Sequence, residues 1–549
     1  MNRLFAQLCE ENFPRANDAV MHGLAEYYIN RPASPHSSAS KAEVYLDKVA
    51  ASAFNNLIPG LVYHGIERCT PEEEYVVTTR SKNNRRTYDL AKSDIYLVKL
   101  KLSFNDTPLP DQYMYLPYVR TGGIIYLGGS MFHITPVLSD KVISPGRSSI
   151  FIRLLQYKLN FYRCPHSIIV NGEREAVLVV WSLIYNQNKE NRKVPQTTKA
   201  NTCLAHYLFA KYGFTETFRK YAGVIPIVGT SKDITPENYP PDKWMIVESA
   251  HKHYKPAGYV GEFYAGTDIR LAVPKADWNS VTQSFISGFF YVVDHFPEQL
   301  LASYVDNKQT WLLTLANILF SSHYTVGNLH SRISEHFVSL DSYVDNIAIE
   351  KLAEKGYHIE NFYDLLALLL SRYNELTADN IHANSMYGKY LDVLYYVMLP
   401  ITTAIFTTKF ALMKQASKAI PTFNNIRDTF IRKLKPGPIF KLSSDNPVTE
   451  TVSYSADHLY FKLTSKITEQ ESGPAGRRGR SGRKVGGEDK YLNASMIVGG
   501  SILFLSKSNP TPTNRINCFV NIDPVTGTIL PNKEFEALLQ RTDELLSMK

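Results

Sequence analysis

The stretch Tyr96-Leu97-Val98-Lys99-Leu100-Lys101-Leu102-Ser103-Phe104 alternates without a break. Tyr96, Val98, Leu100, Leu102 and Phe104 fall on one side, and Lys99, Lys101 and Ser103 on the other. A period of two is that of a strand with one face buried, so the segment predicts a half-buried β-strand. Asn105-Asp106-Thr107-Pro108 ends it. Apolar runs follow at Tyr113–Leu116, Ile124–Leu127 and Phe132–Thr135, separated by Gly122-Gly123 and Gly128-Gly129. Paired glycines between short apolar runs predict tight hairpin turns, because glycine enters the positive-φ region without steric cost. Residues up to about 145 therefore predict a β-rich platform.

Further along, the period changes. Asn201 to Tyr212 has helical spacing and stops at Gly213, a natural C-cap. The segment from Pro226 to Asp277 is rich in Pro, Gly and Tyr and predicts loops and short strands. From about 300 to 420 the pattern is helical, clearest in Asn361–Leu376, where Leu365, Leu366, Leu368, Leu369 and Tyr373 cluster. The apolar run Val393–Phe406 is too short to span a bilayer and holds Pro400, so it predicts a buried helix pair. Past Pro421 the chain turns irregular, with β-like runs at Ile502–Leu505 and Cys518–Ile522 and a final amphipathic helix over Lys533–Met548. The fold class expected is α+β, with several domains.

Composition bounds the function. The 549 residues are 44% hydrophobic and 20% charged, which excludes a collagen-like, coiled-coil or mostly disordered chain. The length suits three or four domains of roughly 100–200 residues. A net charge of +8 is mild at this length, so a nucleic-acid signal has to come from local clustering. Cys9, Cys69, Cys164, Cys203 and Cys518 are odd in number and far apart, which suits reduced intracellular thiols rather than a disulfide framework or a zinc site. Met1–Pro14 carries acids and no apolar core and does not read as a signal peptide. No membrane association is expected.

Familiar catalytic motifs fail on spacing. Gly223–Lys232, GVIPIVGTSK, places five residues between its outer glycines and displaces the lysine of a phosphate loop. His251-Lys252-His253 offers two imidazoles without an evident third ligand. The strongest local charge is Arg477, Arg478, Arg480, Arg483 and Lys484, interleaved with Gly479, Ser481 and Gly482 inside the Gly/Arg-rich stretch 473–487. Glycines oppose a helix there, and five cations without an acid favour a polyanion, phosphate being the usual one. A solvated loop is the competing reading.

The order of these pieces resembles the N-terminal half of the β subunit of multisubunit DNA-directed RNA polymerases, and most closely the split β subunits of giant bacteriophages. The resemblance begins at Thr70-Pro71-Glu72-Glu73-Glu74, Arg86-Thr87-Tyr88 and the strand at 96–104. It continues through Met114–Ser130, similar to the family's LPxMxxxGxFxxNG segment, and Val137–Pro145. Thr202–Gly213 is similar to the lobe helix, and Asp379–Asn384 to the D-x-x-x-N segment. Leu463-Thr464-Ser465-Lys466 through Gly473-Pro474-Ala475-Gly476 resembles, without gaps, LTHKRRLSALGPGG of the fork region beside the RNA–DNA hybrid. Asn446-Pro447 with Glu450 resembles the preceding NPLxE at a longer spacing. Ile467 and Thr468 stand where the family has two arginines and Gln470 where it has serine; the downstream ETPEG is barely traceable near Asn509–Asn514.

The resemblance implies an architecture of protrusion, lobe and fork. Residues 1–145 would be a first protrusion-like part, 146–310 a lobe-like insertion, 311–420 a second, helical protrusion-like part, and 421–549 the fork-like region. It implies a non-catalytic subunit that shapes the DNA cleft and hybrid channel. The catalytic Mg2+ would be held by a β′-like chain carrying the DFDGD motif that this chain lacks, and this chain would bind no cofactor itself. Partners would be a C-terminal β-like chain, β′-like chains, the DNA template and the RNA product. The setting would be the host cytoplasm or a phage replication compartment, with packaging in the virion left open. Asn446, Lys466, Ile467, Thr468, Gln470, Gly473 and Pro474 would be the fork and drug-pocket equivalents, and the departures at 467, 468 and 470 imply rifampicin resistance. The alternative is a phage virion structural or interaction protein whose basic loop touches nucleic acid.

Overall fold

A computed structural model describes residues 41–79, 95–117, 124–127, 130–134, 137–145, 149–155, 157–182, 202–250, 268–296, 300–320, 325–341, 343–378 and most of 385–434. Beyond these it describes only short segments, including 449–451, 467–469, 513–514, 521–522 and 528–531. The chain is mixed α+β and divides into two compact units: residues 142–382 form one, and the segments on either side, 1–141 and 383–549, form the other.

In the two-segment unit the chain opens with α1 (Lys41–Phe54), β1 (Leu61–Arg68), α2 (Pro71–Thr79) and β2 (Ile95–Phe104). β3 (Thr107–Pro108), β4 (Gln112–Pro117), β5 (Ile124–Leu127), β6 (Ser130–Ile134) and β7 (Val137–Asp140) follow. β2 lies between β1 and β4 in an antiparallel sheet. Val98, Leu100, Leu102 and Phe104 are buried there, as their alternation requires. The opposite face is less open than the alternation suggests: Leu97, Lys99 and Ser103 are also buried. Ser103 is covered by His64, whose Nε2 lies 2.7 Å from its hydroxyl, and Lys99 reaches Glu73 of α2 at 2.7 Å.

β5 and β6 pair antiparallel, with Leu127 opposite Ser130, and β4 and β5 belong to separate sheets; both glycine pairs, Gly122-Gly123 and Gly128-Gly129, lie outside the described residues. The first turn of α2 holds Glu72, Glu73 and Glu74. The Thr70 hydroxyl accepts from the Glu73 amide at 3.3 Å, and the Glu73 carboxylate accepts from the Thr70 amide at 3.0 Å. This reciprocal capping box satisfies two of the backbone donors that every helix start leaves open.

The continuous unit holds β8 (Ile143–Pro145), β9 (Ser149–Arg153), β10 (Lys158–Val170), β11 (Glu173–Ser182) and β12 (Thr202–Cys203). Next come α3 (Leu204–Tyr212), β13 (Ile227–Gly229), β14 (Trp244–Ser249), β15 (Arg270–Pro274) and α4 (Ser280–His295). It ends with α5 (Lys308–Leu319), α6 (Val326–Asp341), α7 (Asn346–Ala353) and α8 (Phe362–Ala378). The strands form one sheet in which β10 pairs with β11, β9 and β14. Leu204 to Ala210 are all buried, so α3 is a central helix, apolar nearly all round, packed against α4, α5 and α8. It stops at Gly213, whose φ of 90° suits glycine, as the spacing predicts.

Phe209, Phe214, Phe289 and Trp311 pack edge-on or tilted around this helix, and Phe218 stacks on Phe209. Gly288 lets α4 approach: a Cβ there would lie 2.6 Å from the Ala205 Cβ. Because α5, α6 and α8 share this core, residues 311–382 pack with 142–310. The amphipathic faces of these helices identify them as helices without saying which core they join.

The first unit resumes with β16 (Lys389–Asp392), α9 (Leu394–Ala416), α10 (Phe423–Lys433), β17 (Thr449–Thr451), β18 (Ile467–Glu469), β19 (Thr513–Asn514), β20 (Asn521–Ile522) and β21 (Ile529–Leu530). The expected helix pair at 393–406 is one helix of 23 residues that carries Pro400 inside it. Proline removes one backbone donor, but Met398, Ile401, Ile405, Phe406 and Leu412 bury a continuous stripe that holds the helix across it. No helix among the described residues is long and apolar enough to cross a membrane.

Candidate functional site

Most of the residues singled out in the sequence lie outside the described residues: Arg477, Arg478, Arg480, Arg483, Lys484, Asn446, Lys466, Gln470, Gly473, Pro474 and the His251–His253 pair. Ile467 and Thr468 are described as backbone, in β18. That strand runs parallel to β7, with Thr468 opposite Val137, and antiparallel to β19, with Ile467 opposite Asn514 and Thr468 opposite Thr513. β16 pairs with β7 on its other side. Four short segments, far apart in sequence, thus build one sheet in the order β16-β7-β18-β19. At its β16 end Lys141 donates to the Tyr387 carbonyl at 3.0 Å, and Lys389 is buried.

Two segments with separate family-like features meet here. By the resemblance, Ile467 and Thr468 would stand at the paired-arginine positions, and Asn514 closes the stretch where the downstream segment is traceable. Nothing in either strand's spacing predicts this pairing, because each is only two or three residues long.

A second concentration of charge is spread along the sequence. Between 393 and 444 stand Lys409, Lys414, Lys418, Arg427, Arg432, Lys433, Lys435 and Lys441, against Asp428 alone, a net +7. Contiguity is the usual signal of a basic patch, and it is missing here; counting charge over the helix pair would have found it. The fold assigns these cations different work. Lys409 is buried, with its ammonium 5.5 Å from the Phe406 ring centroid and 3.5 Å from the Ser52 carbonyl. Arg427 meets Asp428 at 3.1 Å. Lys414, Arg432 and Lys433 are exposed. The side-chain amide of Gln415 donates to the Thr429 hydroxyl at 2.8 Å and ties α9 to α10, while Phe430 meets Phe54 of α1 edge-on at 5.3 Å.

The continuous unit contains a serine, a histidine and an aspartate in one buried group. His166 Nε2 lies 2.9 Å from Asp294 Oδ2, and the Ser249 hydroxyl donates to the other oxygen of the same carboxylate. In a hydrolytic triad the imidazole must stand between serine and carboxylate. Here the carboxylate stands between the other two, so the imidazole does not activate the hydroxyl, and the group fastens β10, β14 and α4 together. The stretch at 223–232 is likewise structural: Gly223 caps a helical turn with φ 73°, Ile227–Gly229 is β13, and the Thr230 hydroxyl donates to Asp233 at 2.7 Å. The Cys203 thiol is buried and pushed up to about 12, and burial raises Cys69 to about 11. Both are inert thiols at neutral pH. Among the described residues, no three His, Cys, Asp or Glu side chains are grouped so as to hold a metal ion.

The signature of the non-virion RNA polymerase subunit family matches residues 41–538, and the chain belongs to that family. It is a subunit of a phage RNA polymerase and works beside other polymerase subunits. No curated protein sequence matches it. The alternative of a virion structural component falls with the family's description as non-virion, and so does packaging in the virion.

Proposed function

We propose that the chain is the N-terminal β-like, non-catalytic subunit of its RNA polymerase, equivalent to protrusion, lobe and fork, and that it shapes the DNA cleft and the RNA–DNA hybrid channel. The observation that carries this reading is the pairing of Ile467-Thr468 with Thr513-Asn514, which brings together the two segments with fork-like sequence. The ordered run of β-like segments from Thr70 to Pro474 supports it further. Phosphoryl transfer then belongs to a β′-like chain that holds the Mg2+, with two-metal chemistry at the growing RNA end. Arg477, Arg478, Arg480, Arg483 and Lys484 contact backbone phosphates and carry no base specificity. A C-terminal β-like chain completes the subunit.

Co-expression with the other polymerase genes of the same source tests this reading. The chain should be recovered in a complex with a DFDGD-bearing chain and a second β-like chain, and RNA synthesis should require all of them. Metal-dependent RNA synthesis by this chain alone would overturn it.

A further inference from the structure

The two units are built from the chain in opposite ways. Among the described residues, the core of the continuous unit runs from Val142 to Leu376 and takes nothing from either flanking segment. The other unit is bipartite. β7 pairs with β16 and β18, β6 pairs with β17, α1 packs against α9, and Phe54 of α1 meets Phe430 of α10. Each of these joins a residue before 141 to one after 383. Forming them closes a loop of about 240 residues, and the entropy lost on closure grows with loop length.

The chain leaves and re-enters the two-segment unit through a neck of two strands. Ser139 stands opposite Tyr390, and Asp140 opposite Lys389, in the antiparallel ladder of β7 and β16. Opposed Cα atoms in such a ladder are about 5 Å apart. One residue further, the Lys141 ammonium reaches across to the Tyr387 carbonyl at 3.0 Å. Tyr387 itself sits in a turn closed by the Gly388 amide on the Ser385 carbonyl at 3.0 Å. The outgoing and returning chains are clasped at 139–141 and 387–390.

The continuous unit, once folded, holds its own two ends near each other. Pro145 of β8 pairs with Ile150 of β9, and Ile150 pairs with Phe161 of β10. The Tyr373 hydroxyl of α8 donates to the Phe161 carbonyl at 3.0 Å. First strand and last helix are thus tied to one three-stranded ladder, which is two strand spacings, or about 10 Å, across. Outside this core only Lys141 on one side and residues 377–388 on the other lead to the paired Asp140 and Lys389. Folding of the continuous unit therefore shortens the loop that the neck must close about twentyfold. With closure entropy following (3/2) ln n, the neck then closes more favourably by on the order of a hundredfold.

We propose that the β7–β16 neck, with its Lys141–Tyr387 bond, is a staple that couples the stabilities of the two units through chain connectivity. The coupling is reciprocal. A closed neck restricts the unfolded continuous unit as a cross-link would, and a folded continuous unit brings the neck strands together. A ligand that stabilises the two-segment unit, another polymerase subunit included, thereby stabilises the continuous unit without touching it. The inference does not depend on the β-like reading, because it follows from the path of the chain.

The test uses the full-length chain and amide exchange without denaturant. Phe54→Asp with Ile405→Asp puts carboxylates at two fully buried positions of the two-segment unit and alters no residue of 142–382. Fast exchange at 97–102 verifies that this unit has opened. The amides of α3, in the core of the continuous unit, should then exchange about a hundredfold faster than in the wild-type chain. A disulfide between Asp140→Cys and Lys389→Cys, verified by the mass of the linked peptide, should restore slow exchange in this variant. In the otherwise wild-type chain, where the neck is already closed, the same disulfide should change α3 exchange by less than about threefold. A thiol reductant should abolish the rescue. Unchanged α3 exchange in the core variant would overturn the proposal. So would a failure of the disulfide to rescue it, or an equal gain from the disulfide in both backgrounds.

Discussion

Thr468 stands opposite Val137 in a parallel ladder, so β18 is anchored on a strand from the other segment of its unit. β18 is an interior strand, with β7 on one side and β19 on the other. A proline there removes a backbone donor from a central ladder. Thr468→Pro should cost about 3 kcal/mol and loosen the two-segment unit, read as a lower melting midpoint and faster amide exchange in 137–140 and 389–392. Unchanged exchange in those strands would show that the ladder contributes little.

Drug response follows from the same strand. By the fork resemblance, Ile467 and Thr468 replace two arginines and Gln470 replaces a serine in the rifampicin pocket. Each lost hydrogen bond to a charged group costs on the order of 1.5–3 kcal/mol, roughly one to two decades of affinity. The assembled polymerase should therefore resist rifampicin. Titrating transcription with the drug beside a sensitive bacterial polymerase reads the result; inhibition of both over the same range would mean that the fork has been misassigned.

Salt dependence reports on the basic loop. Replacing Arg477, Arg478, Arg480, Arg483 and Lys484 by Ala should weaken nucleic-acid binding by the assembled polymerase. The slope of log affinity against log salt should drop by about 0.9 per lost phosphate contact on duplex DNA, or about 0.7 on a single strand. An unchanged slope would identify the loop as solvated.

Acid should destabilise the continuous unit through two buried imidazoles. Burial lowers both His206 and His336 to about 4. His206 Nε2 donates to the Trp311 carbonyl at 3.0 Å and Nδ1 is buried without a partner, so a second proton would have nowhere to bond. Above pH 6.5 the imidazoles are neutral in both the folded and the unfolded chain and add no pH dependence. As pH falls from 6.5 to 4, the unfolded chain takes up protons that the folded one refuses, and stability drops by about 3 kcal/mol for each. His206→Gln keeps a donor for Trp311 and should remove about half of this acid-linked loss, measured by denaturant midpoints between pH 7 and 4. An identical pH profile in the variant would place the loss elsewhere.

The local elements were legible in the chain because short-range stereochemistry sets them. The period of two at 96–104 marked β2, and the glycine at 213 marked the end of α3. Each signal lies within a few residues of what it determines. The order of the β-like segments likewise pointed to a polymerase subunit from sequence alone. Tertiary structure decided what depends on partners distant in the chain. Lys99 and Ser103, polar by pattern, are buried because Glu73 and His64 cover them. The helices after 310 joined the core around α3 because apolar stripes do not specify which core accepts them. The pairing of β18 with β7 and β19 involves strands of two to four residues, too short for any period to register. The charge of Lys409 was plain in the sequence, but only folding withdrew it from the surface and left Lys414, Arg432 and Lys433 there. A sequence states which groups are present, whereas burial and pairing arise from long-range contacts that its local patterns do not encode.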